Sequence, residues 1–119
     1  MTFLRRIPLK NFIQEGRTIT LTAPYAVTSG SGLLVGSIFG VASNDAASGT
    51  DVETSTIGVF SLSKTSAQAW TQGVLIYWDD TNKVCTTTSS TNKLIGTATL
   101  AAANPSSTGY VRLNGAFIA

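Results

Sequence analysis

The chain has 119 residues, enough for one domain with a modest core. Its net charge of +2 is too small to indicate nucleic acid, and only 12 % of its residues are charged, about half the usual share of roughly 25 %. It has no His and one Cys, which excludes Ser-His-Asp triads, Cys-His pairs, His-ligated metal sites and any intrachain disulfide.

Residues 1–13 mix apolar Phe3, Leu4, Ile7, Leu9, Phe12 and Ile13 with Arg5, Arg6 and Lys10, and Pro8 interrupts any helix. They read as an extended N-terminal arm, with residues 14–119 forming a single β domain. So many large apolar residues call for cover, on the same domain or on a neighbour. Residues 1–17 carry Arg5, Arg6, Lys10 and Arg17 against Glu15 alone. Residues 18–119 carry Lys64, Lys83, Lys93 and Arg112 against Asp45, Asp51, Glu53, Asp79 and Asp80, so the positive excess belongs to the arm. The first residues lack a continuous apolar stretch ahead of a small-residue cleavage site, and no run of eighteen apolar residues occurs. Synthesis in the cytoplasm, with neither export nor a membrane span, is the expectation.

From Thr18 to Thr22 polar and apolar residues alternate with period two, as in a half-buried strand. Ser29 to Gly32 is a turn, and Leu33–Gly36 with Ile38–Ala42 reads as a strand pair or one bent strand. Asn44 to Gly49 is a loop. Val52 to Leu62 reads as one long strand whose apolar phase shifts near Gly58, which predicts a bulge there. Lys64 to Gly73, with Ala67, Gln68 and Ala69, is the one stretch with helix formers and predicts a short helical turn. Val74–Trp78 and Lys83–Thr88 form a hairpin about a turn of Asp79, Asp80, Thr81 and Asn82. Leu94–Ala98 and Tyr110–Asn114 supply the last strands. Short strands with Gly, Ser, Asn and Asp punctuation predict an all-β fold, a small β-barrel or β-sandwich.

Four features with chemical overtones have plainer readings. Asp79 and Asp80 are adjacent and can hold a hard cation, but a hairpin turn explains them. Asp51 and Glu53 share a strand face, which reads as solvated rather than as a glycosidase pair. Cys85, in strand context, is a packed apolar residue without a His to activate it. Gly58 to Thr65 matches the phosphate-loop pattern except that Ser63 replaces the second glycine, and no long helix follows. No cofactor and no catalytic residue is expected.

Several stretches together resemble the small capsid decoration, or cement, proteins of tailed bacteriophages and prophages. They are Phe12–Gly16 with Leu21–Pro24, Ser29–Gly32 with Leu34–Gly36, Phe39–Ala42, Thr56–Leu62, Trp70–Gly73 leading to Tyr77–Asp79, Leu94–Ala98 and Val111–Gly115. No single piece is specific; their order and spacing from about residue 11 to 115 carry the resemblance. A recombinase label borne by some members would require a working phosphate loop, and Ser63 argues against one.

The resemblance implies a structural virion protein, not an enzyme. It would bind the outside of the head, cement neighbouring major capsid proteins and form a homo-oligomer, a trimer ahead of a dimer. No nucleic-acid or membrane partner is implied. A low-charge surface rich in hydroxyls suits such a life, because hydroxyls are covered at lower desolvation cost than charges. The contact residues expected on the arm are Phe3, Leu4, Arg5, Arg6, Ile7, Lys10 and Phe12. Trp70 has either a contact role or, ahead of it, a core role. The alternative is a carbohydrate- or receptor-binding β module of a phage particle, which a surface platform of aligned Trp and Tyr would support.

Overall fold

The structure, a computed structural model, describes residues 9–119. Among the described residues nine strands follow one another: β1 (Thr18–Thr22), β2 (Gly32–Val35), β3 (Ile38–Ala42), β4 (Asp51–Ser55), β5 (Ile57–Ser63), β6 (Leu75–Asp79), β7 (Val84–Thr86), β8 (Lys93–Ala98) and β9 (Thr108–Asn114). They form two antiparallel sheets, a four-stranded one in the order β1-β4-β3-β2 and a five-stranded one in the order β5-β9-β8-β6-β7. The fold is all-β, as the turn spacing and period-two alternation predict.

The five-stranded sheet curls into a half-barrel. Its outer strands approach at one end, where the Thr65 N–H donates to the Cys85 carbonyl at 2.9 Å and Lys64 bridges to Cys85 in parallel. Inside lie Leu62, Trp70, Ile76, Trp78, Cys85, Ile95, Ala98, Val111 and Leu113. The four-stranded sheet closes this core with Phe39 and Val41 of β3, and the Phe39 and Trp78 rings meet at a centroid distance of 4.9 Å. Alternate residues point the other way. Leu33, Ala42 and Val52 build a smaller second core under the loop carrying Ala23 and Val27.

Two local expectations change. Val52 to Leu62 is two strands in different sheets rather than one bulged strand. The chain leaves the first sheet at buried Thr56, whose N–H and hydroxyl both bond to the Arg17 carbonyl. A second hydroxyl contact, to the Gly16 carbonyl at 2.8 Å, ties the root of the arm to this crossing. Gly58 follows with a φ of 136°, outside ordinary strand geometry.

The stretch Lys64 to Gly73 forms turns and no helix. Its backbone is claimed from both ends, by Cys85 near Lys64 and by a reciprocal pair between Trp70 and Ala102 at 2.8 and 3.0 Å. Two sheet partners outweigh the helix propensity of Ala67, Gln68 and Ala69.

The Trp70 indole packs against Gly109, where a Cβ would collide with it. Glycine is therefore the residue that lets the largest core side chain reach β9.

Candidate functional site

Three of the four groups that resemble chemical sites are consumed by structure. Lys64 is 3 % exposed. Its ammonium donates to the carbonyls of Thr65, Ser66, Ala103 and Ser106 at 2.9 to 3.4 Å and stands 5.8 Å from the Trp70 ring centre. Carbonyl dipoles and a ring face replace the water it loses. The residues before it, the would-be phosphate loop, are strand β5. A buried lysine with its donors occupied, behind a strand, has nothing to offer a phosphate.

The hairpin aspartates are occupied as well. The Asp79 carboxylate accepts from the backbone of Thr81 and Asn82 and from the Asn82 amide, and these bonds, led by the Asn82 backbone, hold its pKa below the usual value. Asp80 accepts from Trp78 Nε1 at 2.9 Å and from the Tyr25 hydroxyl at 3.1 Å, and it pairs with Lys83 at 3.5 Å. Lys83 in turn stands over the Tyr25 ring at 4.1 Å. Burial first, and then the Asp80 charge, push the Tyr25 hydroxyl up to about 12. This four-residue cluster pins the loop after β1 onto the β6–β7 hairpin.

Cys85 is buried, and burial pushes its thiol up to about 12, away from the reactive thiolate. Among the described residues no group of three or more His, Cys, Asp or Glu could hold a metal ion. No helix of the described residues is long and apolar enough to cross a membrane.

The surface offers three features. The first is the root of the arm. Leu9, Phe12 and Ile13 are exposed, Ile13 at 85 %, and Lys10 lies in a turn beside them. Phe3, Leu4, Arg5, Arg6 and Ile7 lie outside the described residues. Trp70 is in the core at 2 % exposure, beside Trp78, so neither tryptophan offers a surface platform for sugar rings.

The second feature is the outer face of the half-barrel. Val59, Arg112, Thr97 and Leu75 stand in one row across β5, β9, β8 and β6. Ile57, Leu94 and Tyr110 are exposed on the same strands. Phe117, 82 % exposed, divides two apolar hollows, one of about 260 Å³ against Leu75 and Leu94 of this face and one of about 200 Å³ against Ile19 and Ile38 of the four-stranded sheet. It is held out because its neighbour Ile118 is anchored in the core, with the Ile118 N–H donating to the Ser37 carbonyl at 2.9 Å.

The third feature is the exposed face of β1 and β4. Thr18, Thr20 and Thr22 stand opposite Ser55, Glu53 and Asp51. The Thr20 hydroxyl donates to Glu53 at 2.6 Å. Asp51 and Glu53 thus share a strand face, as their spacing predicts, and that face is in solvent.

Sequence reasoning missed Phe117, the Tyr25–Asp80 link and the open edge of β1. Phe117 was legible as a large aromatic among small residues after the last strand. The Tyr25–Asp80 link joins residues 55 apart and leaves no local signal.

A family model described as phage cement protein matches residues 13–113. Nothing matches among curated proteins or among solved structures.

Proposed function

We propose, from the fact that this chain belongs to the phage cement protein family, that it binds the outside of an expanded phage head and clamps neighbouring major capsid proteins together. Membership associates the chain with the virion capsid and with a structural role. The finer claims are our reading: the outer surface as its place, the host cytoplasm as its place of synthesis, and a homotrimer, ahead of a dimer, as its form.

The observation that carries this reading is the contrast between a chemically silent interior and an apolar exterior. Lys64, Cys85 and the Asp79–Asp80 turn are tied up in holding the fold, whereas Leu9, Phe12, Ile13, Val59, Leu75, Leu94 and Phe117 are left in water. Apolar side chains distributed over an arm and a sheet face suit a protein that is covered in its working state. The low charge of the chain keeps the cost of that covering small. Binding that favours the assembled shell over the loosened one stabilises the shell by mass action.

The arm of residues 1–13 is proposed to cross onto a neighbouring subunit, through Phe3, Leu4, Arg5, Arg6, Ile7, Lys10 and Phe12. Trp70 is assigned to the core.

The test is titration of the purified protein onto expanded heads that lack it, with bound copies counted after sedimentation. Saturation at a fixed ratio of cement to capsid subunits is expected. Deletion of residues 2–10 should weaken occupancy. No saturable binding, with occupancy insensitive to the arm, contradicts the reading.

A further inference from the structure

Among the described residues, the strand β1 has an open side. The Arg17 carbonyl accepts from Thr56, and the N–H of Ala23 donates to the Thr50 carbonyl, both at 2.8 Å. Backbone groups alternate along a strand, so the odd residues Arg17, Ile19, Leu21 and Ala23 face β4. The even residues Thr18, Thr20 and Thr22 face outward. The Gln14 amide reaches the Thr18 carbonyl at 3.1 Å; among the described residues, the donors and acceptors of Thr20 and Thr22 have no strand beside them. Within β1 this edge has neither a proline nor a lysine nor a bulge, three of the usual protections.

The two faces beside the edge differ. On one, Thr18, Thr20 and Thr22 are backed by Glu53 and Asp51. On the other lie half-buried Ile19 and Leu21. A strand added here would therefore do best with alternate residues basic on the first face and apolar on the second. Residues 6–10 of this chain have that pattern: Arg6, Pro8 and Lys10 alternate with Ile7 and Leu9.

The proline fixes the direction. In an antiparallel addition, residues opposite the threonines must exchange both backbone bonds with them, and Pro8 has no N–H to give. In a parallel addition, the residues bonded to β1 are Ile7 and Leu9. Pro8 then points its missing donor to the outside, where proline is tolerated and where it blocks a further strand. Parallel neighbours need a crossover connection of a dozen residues or more, and only residues 11–17 separate Lys10 from Thr18. The donor must be another molecule.

We infer that the segment Arg6–Lys10 of one copy adds as a parallel strand to the open edge of β1 in a second copy. Lys10 then lies by Asp51, Arg6 lies diagonally from Glu53, and Ile7 and Leu9 cover Ile19 and Leu21. The turn at Lys10 and Asn11 ends the added strand. Donor and acceptor are different surfaces of the same chain, so the contact is head-to-tail, and it closes into a ring where the rotation between copies divides a full turn. The inference does not depend on the capsid reading.

The test is the mass of the full-length protein in solution as a function of concentration, for the wild type and for Arg6→Glu/Lys10→Glu. The wild type should form a closed oligomer, and the variant should raise its dissociation constant by about tenfold or more. The compensating pair Asp51→Lys/Glu53→Lys, combined with the arm variant, should restore assembly to within about threefold. Loss of assembly with an unchanged melting curve is not misfolding.

A monomeric wild type, an arm variant that assembles unchanged, or a failed charge swap overturns the inference. If the arm variant assembles normally but loses occupancy on heads, the acceptor is the capsid protein, which overturns the inference and leaves the cement reading standing. Rings that form as described but never bind heads uphold the inference and sink the cement reading.

Discussion

The two sheets divide the labour of the molecule. The half-barrel holds the larger core, nearly meets itself at β5 and β7, and locks that junction with Lys64. The four-stranded sheet has a smaller second core, a polar face on β1 and β4, and an edge that is open among the described residues. A small domain buries only part of its surface and cannot make both sheets equally secure. Here one sheet carries most of the packing and the other is left able to accept a partner.

Four substitutions put that division under load. Trp70→Ala empties the centre of the half-barrel and should lower unfolding free energy by about 4 kcal/mol, read from the urea midpoint. A midpoint shift no larger than that of a surface substitution would place the main core elsewhere. Lys64→Met removes the donor shared by four carbonyls of two loops and should cost about 3 kcal/mol, with the loss visible as faster amide exchange in residues 103–106. Gly109→Ala forces the Trp70 indole to shift and should cost about 2 kcal/mol, read from the same urea midpoint. Glu53→Gln, on the open sheet, should change stability by less than about 0.5 kcal/mol in the same assay. A large effect there would mean that the polar face is structural and not a contact surface.

The link between the sheets has its own signature in pH. Tyr25 ionises near pH 10 in an unfolded chain and near 12 in the fold. Its contribution is present below pH 10 and fades as pH rises toward 12, so the protein should lose stability across that window. Asp80→Asn should bring the Tyr25 midpoint down, though not to 10, because burial is the larger cause. Ultraviolet titration of the phenolate reads this, and an unchanged midpoint would remove Asp80 from the account.

Much of this architecture is legible in the residues. The alternation in Thr18–Thr22 and Tyr110–Asn114 and the Asp79–Asn82 turn each predict the element found there. The misreadings have a common cause. Thr56 ends one strand and begins another because it bonds to Arg17, and Lys64 to Trp70 forgoes a helix because Cys85 and Ala102 take its backbone. In both places the deciding partner is distant in sequence, so local propensity and period miss it. The same holds for the surface. The basic and apolar character of residues 1–13 is plain, but the edge of β1 that suits it exists only once the strand order is known.

The claim that this chain cements a capsid is tested most directly by heating expanded heads with and without saturating protein and following release of their DNA. The account predicts that decorated heads stay closed to a higher temperature, with the gain rising until the sites are filled. Release at the same temperature with every site occupied would show a protein that binds the shell without holding it together.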